Sequence, residues 1–317
     1  MSLMSNRSNK PRVSVGLPVY NGERYLSEAL DSLIAQTFDN FELIICDNAS
    51  TDQTEQICRS YLDGDKRIRY FRNETNLGAA KNYRRTFELS SGQYFRWANH
   101  DDLSGPEFLA RCVEVLDREP SVILTYPKTK LIDERGQAIS EYQDGLNLQS
   151  PKASDRFSQL FQRLGLCNAV YGLIRSDVLK RTALIGPYIA SDGPLLAELT
   201  LYGKFWEVPE FLFYRRLHPG AWSSCKDVSK QLEFYDPKIK HRIAMTNWRH
   251  LWANFRAVKR APLDIAEKMR LRRYLVRVGI WRRRDLLTEL YSTVGQTIRR
   301  GVHNKHFSTK WFAKLPQ

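Results

Sequence analysis

Two strand-like segments of the chain end in acidic side chains. The adjacent pair Asp101 and Asp102 follows residues 93–98, and Asp47 follows residues 41–46. The carboxyl ends of parallel strands meet at one edge of an α/β sheet, and ligands of such sheets bind at that edge. Hard divalent cations and their phosphates need oxygen ligands of this kind. The spacing therefore predicts a polar rim that holds a metal ion and a phosphorylated ligand.

The elements that must position this rim alternate between strand and helix patterns. Apolar residues recur with a helical period between the strand-like segments, as at Leu26, Leu30 and Leu33. This alternation implies an α/β fold with a mostly parallel sheet and right-handed crossovers. The predicted strands are 12–19, 41–46, 68–72, 93–98 and 121–127, and the predicted helices are 23–36, 51–62, 79–89 and 107–116.

The pattern changes after residue 127, where strands and helices no longer alternate regularly. A polar stretch without periodicity at residues 142–156 is expected to be a mobile loop. The other predicted elements are a hairpin around 134–136, a strand at 170–175, a helix at 194–202, strands at 205–208 and 211–215, and amphipathic helices beyond 226.

The net charge of +14 is distributed unevenly along the 317 residues. Residues 226–317 contain 22 Lys and Arg against 7 Asp and Glu, whereas residues 1–225 contain 27 against 28. We therefore predict a disordered N-terminal segment at 1–10, an α/β domain at 11–225 and a basic, mainly helical region at 226–317.

Several protein classes are disfavoured by the sequence. No stretch approaches the roughly 20 apolar residues that span a bilayer, and the N-terminus lacks an apolar signal region. The five cysteines are scattered without a Cys-x-x-Cys pair, which fits a reducing cytosol. No Gly-x-Gly-x-x-Gly follows the first strand, which argues against a dehydrogenase. The expected location is the cytoplasm or the inner face of the plasma membrane.

Three segments in the first fifty residues resemble the family-2 glycosyltransferases. They are Val13–Asn21, Gln36–Glu42 and Asp47–Asp52. The resemblance covers roughly residues 11–225 and implies a GT-A fold, a Rossmann-like nucleotide-sugar transferase sheet. It also implies a nucleotide-sugar donor, with a UDP-sugar expected, and a divalent metal, Mn²⁺ or Mg²⁺. The acceptor is expected to be a saccharide or a lipid-linked molecule in cell-surface glycan synthesis.

The resemblance assigns the donor nucleotide to three turns of the chain. In the family, the turn after the first strand lies against the base, so Tyr20 would flank it. Asp47 and its neighbour would bond the base or ribose, and Lys81 would meet the uracil edge or the phosphates. A turn aromatic, a helix-capping network and a surface lysine are the structural alternatives. The residues assigned in this way are Pro18, Tyr20, Asn21, Asp47, Asn48 and Lys81.

The acidic pair holds the position of the family's Asp-x-Asp-Asp metal motif, although Asn99 replaces its first aspartate. By this resemblance, Asp101 and Asp102 bind the metal, and Asp101 also contacts the donor. A bound metal would stabilise the negative charge that develops on a diphosphate leaving group. Which carboxylate binds the ion stays open, and an acidic cap before the helix at 107–116 is the alternative.

Asp192 lies where the family carries its general base, just before the helix at 194–202. An inverting transfer needs one base that removes the proton of the acceptor hydroxyl. A carboxylate at a helix N-terminus is also a good structural cap, so both interpretations stay open. A retaining mechanism would need a second, closely placed carboxylate, and the sequence offers no candidate.

A basic segment follows the last predicted strand. It resembles a family segment that closes over the diphosphate, which implies that Arg215 or Arg216 pairs with phosphate. His218 would complete the metal shell or contact a phosphate, and Trp222 would form a wall of the acceptor site. The segments at 142–156 and 216–226 are expected to order when the donor binds.

The basic region at 226–317 allows several partners. Its arginines and aromatic residues suit an anionic membrane surface, but packing on the catalytic module and a homodimer contact are alternatives. Nucleic acid is not expected, because no nucleic-acid-binding motif is recognised. Two rival functions stay open: a nucleotidyltransferase and a catalytically silent scaffold or membrane-binding protein.

Overall fold

A computed structural model describes residues 10–238 and 244–298. Of the predicted disordered segment at 1–10, only Lys10 is described. Residues 239–243 and 299–317 also lie outside the described residues. The strands are β1 (Val13–Val19), β2 (Phe41–Asp47), β3 (Ile68–Arg72), β4 (Tyr94–Trp97), β5 (Leu103–Ser104), β6 (Val122–Ile132), β7 (Ala138–Tyr142), β8 (Leu173–Arg175) and β9 (Lys204–Arg216). The helices are α1 (Leu26–Ile34), α2 (Thr54–Leu62), α3 (Ala79–Glu88), α4 (Phe108–Arg118), α5 (Ala153–Arg163), α6 (Ser176–Leu179), α7 (Asp192–Leu199), α8 (Val228–Tyr235), α9 (Thr246–Arg260), α10 (Ile265–Trp281) and α11 (Arg283–Ile298).

Within the described residues, the nine strands form one sheet in the order β3-β2-β1-β4-β8-β6-β9-β5, with β7 beside β6. The long pairings β1–β2, β2–β3, β1–β4 and β6–β9 are parallel, and the pairings of β5, β7 and β8 are antiparallel. Every residue of β1 and β2 is buried, as expected for central parallel strands covered on both faces. The predicted α/β fold with a mostly parallel sheet is confirmed.

Two clusters of buried apolar side chains cover the two faces of the sheet. Successive residues of β4 belong to different clusters, with Tyr94 in one and Phe95 in the other, because side chains alternate along a strand. One cluster packs α1 and α4 on the sheet, and the other packs α3, α5 and α7. Helices on both faces leave the carboxyl ends of the strands as an open edge.

Several elements differ from the sequence prediction. Helix α5 was not predicted, and its first residues lie in the stretch expected to be a mobile loop. Strand β9 runs unbroken through Pro209, where two strands were predicted, because register shifts against β6 accommodate the irregularity. Residues 168–171 form a 3₁₀ helix, so β8 begins later than predicted. The segment expected to be mobile packs on the sheet: Leu146 and Leu148 are fully buried, and Leu148 exchanges two backbone hydrogen bonds with Phe205.

The C-terminal helices pack on the α/β layer. Helix α9 contacts α7, and α10 contacts α5. Val258, Leu271 and Leu275 are fully buried in the same cluster as the side chains of α5 and α7. Of the arrangements left open by the sequence, packing on the α/β module is therefore realised in α9 and α10. No helix in the described ranges is long and apolar enough to cross a membrane.

Candidate active site

A cavity of about 1210 Å³ opens at the carboxyl ends of β1 and β4. Residues 18–20 and 99–102 line it from the sheet edge, and residues 164–167, 170–171, 189–192, 230–231, 233–235 and 237 are among those that line it from the other elements. Ligand pockets are usually about 300–1,000 Å³, so this cavity can hold a large ligand. It lies at the edge where the sequence placed the polar rim.

The turn after β1 reaches the cavity through Pro18 and Tyr20. Asn21 does not line the cavity and instead fastens this turn to the loop after β2. Its backbone has φ 51°, a left-handed conformation that Asn tolerates. Its N–H donates to Ser50 Oγ at 2.9 Å, and its Oδ1 accepts from the Thr51 N–H at 2.8 Å. Asn21 therefore has a structural role: it holds the turn that carries Tyr20, the residue predicted to flank the base.

Asp47 is fully buried and does not line the cavity. Its carboxylate accepts hydrogen bonds from the Ser50 N–H at 2.8 Å and the Tyr70 hydroxyl at 2.7 Å, and it pairs with Arg72 at 3.2 Å. These partners belong to the protein itself. The structure therefore places the Asp47 side chain away from the predicted donor site, in the capping network that was its alternative.

Asn48 lines the cavity, but its side-chain amide is held by protein partners. Its Nδ2 donates to Asn76 Oδ1 at 2.8 Å, and its Oδ1 accepts from Asn73 Nδ2 at 2.8 Å and from the Leu77 N–H at 2.9 Å. These bonds fix the segment that begins α3. Lys81 is exposed on that helix and is not among the residues that line the cavity.

Asp102 lines the cavity, and both of its carboxylate oxygens accept protein hydrogen bonds. Oδ1 accepts from the Arg216 N–H and Oδ2 accepts from Asn99 Nδ2, each at 2.9 Å. Burial, together with the negative charge of Asp101, raises the pKa of Asp102 to about 7. Asn99, which replaces the motif's first aspartate, thus orients the second carboxylate of the pair.

Asp101 lies beside His218, whose Nε2 is 3.1 Å from Asp101 Oδ2. Burial acts to raise the pKa of Asp101, but the hydrogen bond with His218 and the charge of His100 outweigh it and lower the pKa. The His218 ring also packs on Tyr25, with ring centroids 4.8 Å apart. The structure therefore brings together a carboxylate and an imidazole that the sequence separates by more than one hundred residues.

Arg216 has its guanidinium buried among protein acceptors. Nε donates to the Asp101 carbonyl at 2.9 Å, Nη1 to the Glu134 carbonyl at 3.1 Å, and Nη2 to Glu28 Oε2 at 2.7 Å. The guanidinium also lies over the Tyr25 ring. These contacts hold the acidic pair in place. Arg216 also lines the cavity, and its predicted pairing with phosphate stays a prediction.

Arg215 supplies a positive charge to the cavity wall. Its Nη1 donates to the Leu166 carbonyl at 2.8 Å and to Asn168 Oδ1 at 2.7 Å. Its charge acts to lower the pKa values of Asp102 and Asp192. Of the two adjacent arginines, Arg215 is the one suited to a charged ligand.

Asp192 begins α7 and lines the same cavity. Burial raises its pKa, although the Gly193 N–H, which donates to Oδ1 at 3.0 Å, and the charge of Arg215 act in the opposite direction. A buried carboxyl with a raised pKa is suited to proton transfer near neutral pH. The Gly193 contact satisfies one backbone N–H in the first turn of α7, while Ser191 is the N-cap residue of the helix; the general-base and structural interpretations of Asp192 both stay open.

The model of the family described as Glycosyl transferase family 2 matches residues 14–182, more than half of the chain. The chain belongs to glycosyl transferase family 2. Membership of a glycosyl transferase family favours sugar transfer over the nucleotidyltransferase and the silent scaffold.

Curated relatives carry the same general description. An uncharacterized glycosyltransferase of Rickettsia typhi is 35% identical over 137 residues, covering 43% of this chain and 42% of that protein. An uncharacterized glycosyltransferase of Rickettsia prowazekii is 28% identical over 243 residues, covering 74% and 72%. The chain spans less than half the length of the first of these relatives.

Solved structures show the same fold at low sequence identity. TarS of S. aureus, residues 1–349 in complex with UDP, has a TM-score of 0.60 and 20% identity, covering 86% of this chain and 73% of that one. The mannosyltransferase PcManGT from Pyrobaculum calidifontis, in complex with GDP-Man and Mn²⁺, has a TM-score of 0.52 and 14% identity, covering 92% and 87%. These likenesses confirm the GT-A fold of the glycosyltransferase.

Several cavity residues of the glycosyltransferase were not predicted. Cys167 has φ 60° and lies beside Asp192, and burial raises the pKa of its thiol. Tyr235 of α8 belongs to no recognised motif, yet it lines the cavity. Its hydroxyl accepts a hydrogen bond from the Ala190 N–H at 3.3 Å. Trp222, predicted as an acceptor wall, lines the cavity and stacks on Phe234 with ring centroids 4.1 Å apart. Nothing in the local sequence around Cys167 or Tyr235 signals these positions.

Proposed function

We propose that the glycosyltransferase moves a sugar from a nucleotide-sugar, with UDP as the expected nucleotide, to a hydroxyl of a saccharide or lipid-linked acceptor, with inversion. The observation that carries this proposal is a single cavity lined both by Asp101, whose carboxylate contacts His218 behind the cavity wall, and by the buried carboxyl of Asp192. The fold neighbours support a donor of this class, since TarS is described with UDP and UDP-GlcNAc and PcManGT with GDP-Man.

The donor contacts are proposed to come from a subset of the predicted residues. Pro18 and the partly exposed Tyr20 would flank the base, and Arg215 would pair with the diphosphate. Asn21, Asp47 and Asn48 are proposed to act indirectly by holding the two turns that frame the base. Arg216 would act indirectly, because its hydrogen bonds to Asp101 and Asp102 hold the acidic pair in position.

A divalent cation, Mn²⁺ or Mg²⁺, fits Asp101 and His218 as its protein ligands. Ions that bind nucleotide phosphates commonly take one or two protein ligands, with phosphate oxygens and water completing the shell. The described residues contain no group of three His, Cys, Asp or Glu side chains that could hold a metal alone. Asp102 suits the role poorly, since both its oxygens accept protein hydrogen bonds. When bound, the cation would stabilise the charge that develops on the leaving diphosphate.

Asp192 is proposed as the general base. Its ionised carboxylate would accept the proton of the acceptor hydroxyl as that oxygen attacks the anomeric carbon. Burial, which raises its pKa, makes the ionised carboxylate a stronger proton acceptor than an exposed one. Trp222 and Phe234 would supply an aromatic wall for the acceptor.

The first test is calorimetric titration with UDP, GDP and TDP, with and without Mn²⁺. We expect one nucleotide, UDP, to bind in a manner that depends on Mn²⁺. Asp101→Asn should abolish the metal-dependent part of the binding. Lys81→Gln is the matched control, because this charged side chain lies outside the cavity.

Two results would contradict the proposal. A folded protein that binds none of the three nucleotides would show that the cavity is not a donor site. Equal loss of binding in Lys81→Gln and Asp101→Asn would mean that Lys81 contacts the donor. The donor phosphates would then lie against α3, as the sequence resemblance implied.

A further inference from the structure

Helix α10 has apolar side chains on two opposite faces. Its inward face buries Leu271, Leu275 and Val278 in the core. The outward side chains follow one another at helical spacing, so they form one stripe. They are Ile265, Met269, Val276 and Ile280, exposed by 82%, 41%, 53% and 54%. Arg272 lies on the same face between Met269 and Val276. A surface helix normally presents polar residues on its outward face, so an exposed cluster of apolar side chains there marks an interaction site.

Positive charge flanks this stripe. Arg272, Arg273 and Arg277 are exposed on α10, within one turn of the apolar side chains. The acidic residue of the helix, Glu267, faces inward, where it accepts from Ser154 Oγ at 2.9 Å and pairs with Arg270. The outward side of α10 is therefore cationic as well as apolar.

The neighbouring helices extend the same character. Residues 246–298 contain 12 Lys and Arg against 4 Asp and Glu. Glu289 of α11 is buried and accepts from the backbone N–H groups of Asn247 and Trp248, each at 3.2 Å. Large aromatic side chains are also exposed on these three helices, and they are Trp252 of α9, Trp281 of α10 and Tyr291 of α11, exposed by 60%, 44% and 74%.

We propose that the outward face of α10 binds an anionic membrane surface, with the helix lying in the plane of the interface. Aliphatic side chains gain free energy by entering hydrocarbon, and the flanking arginines gain it beside anionic headgroups. Tryptophan and tyrosine suit the headgroup level, where one end of the ring is apolar and the other is wet. A second copy of this face would instead oppose its own positive charge. The proposal is independent of the sugar-transfer chemistry.

The test is sedimentation of the full chain with lipid vesicles. We expect binding to vesicles of equal parts phosphatidylglycerol and phosphatidylcholine, weakening as salt is added, and little binding to phosphatidylcholine alone. The double variant V276E/I280E should lose this binding. Each of Arg272→Gln and Arg273→Gln should lower the partition coefficient roughly fivefold.

Ile139→Glu is the matched control, because it places the same charge at an apolar residue that is 57% exposed on β7. It should bind vesicles like the unaltered protein, and thermal melting should show that all variants fold. Equal binding by V276E/I280E, or equal binding to neutral vesicles, would overturn the proposal. A protein that ignores vesicles but forms a dimer, lost in V276E/I280E, would assign the face to a second copy.

Discussion

At the scale of single residues, Asp192 offers the most direct test of the proposed chemistry. Removing a general base commonly costs about 10²–10⁴-fold in rate. We expect Asp192→Asn to lower turnover of the donor by that range while nucleotide affinity stays unchanged, because the base contacts the acceptor and not the nucleotide. Release of nucleoside diphosphate measures the rate, and calorimetry measures the affinity.

The control for this variant is Glu233→Gln, since Glu233 is another acidic side chain that lines the cavity. It should retain most of the turnover. The pH profile adds a second readout: turnover should rise with pH as Asp192 ionises, and because burial raises its pKa, the rise should lie above the range of an ordinary aspartate. A profile in which the rise lies within the range of an ordinary aspartate, near pH 4, would remove Asp192 from this role.

The raised pKa of Asp102 leads us to expect that the stability of the protein depends on pH. Its pKa in the folded protein is raised to about 7 by burial and by Asp101, whereas an unfolded aspartate titrates near 4. The folded state thus keeps a proton that the unfolded chain releases. This contribution to stability is full below about pH 4 and is lost as the pH rises to about 7.

We therefore expect the free energy of unfolding of the unaltered protein to fall, relative to that of Asp102→Asn, between about pH 4 and 7. Urea denaturation across this range measures it. Asp63→Asn, at an exposed position, should show no such divergence. Parallel profiles for Asp102→Asn and the unaltered protein would mean that Asp102 is ionised throughout the range.

The sequence could predict which side chains reach the cavity only where their place at the end of a strand or the start of a helix determines it. The acidic pair and Asp192 lie in the cavity as expected, because strand ends and a helix start must reach the open edge of the sheet. Position could not tell that the Asp47 side chain turns to Tyr70, or that Arg216 reaches Glu28, which is 188 residues away in sequence. Contacts of such long range leave no local pattern.

At the scale of elements, the start of α3 depends on Gly78. Its backbone has φ 82° and ψ 158°, a conformation almost restricted to glycine. An added Cβ would lie 2.5 Å from the Tyr235 carbonyl of α8. We expect Gly78→Ala to destabilise the protein by about 1–3 kcal/mol, and to weaken nucleotide binding because α8 lines the cavity.

Gly64→Ala is the matched control, since its added Cβ would meet only the Tyr61 carbonyl at an ordinary 3.7 Å. Urea denaturation and nucleotide titration should distinguish the two alanine variants. Equal stabilities would mean that α8 shifts without cost, and that its contact with α3 does not shape the cavity.

The elements of the first half could be predicted because hydrophobic period and turn residues agree there. In the second half, pairing between strands that are distant in sequence determines the structure, and the local sequence pattern does not show it. Two strands were predicted at 205–208 and 211–215, but the long pairing with β6 joins them into one strand, β9. Leu146 and Leu148 looked like part of a polar loop, since their burial arises from Phe205, which is distant in sequence.

At the scale of the whole molecule, charge and packing divide the chain differently. The change in charge at residue 226 predicts a domain boundary, and that boundary stays a prediction. The buried cluster continues across it, because Val258 and Leu275 pack in one core with Leu160 and Leu196. Charge patterning reports which surfaces face solvent, whereas the extent of a core depends on contacts that composition does not encode.

This continuity predicts one cooperative unit. Leu275 is fully buried on the inward face of α10, whereas the adjacent Val276 is 53% exposed. Leu275→Ala leaves a cavity in the shared core and should cost about 2–5 kcal/mol, while Val276→Ala should change stability by at most about 0.5 kcal/mol. The loss should appear equally in nucleotide-binding signal and in helical circular dichroism during urea denaturation, because coincident transitions indicate a single cooperative unit. If nucleotide binding survives the loss of the C-terminal helical signal, then residues 11–225 fold alone and the helices are an appendage.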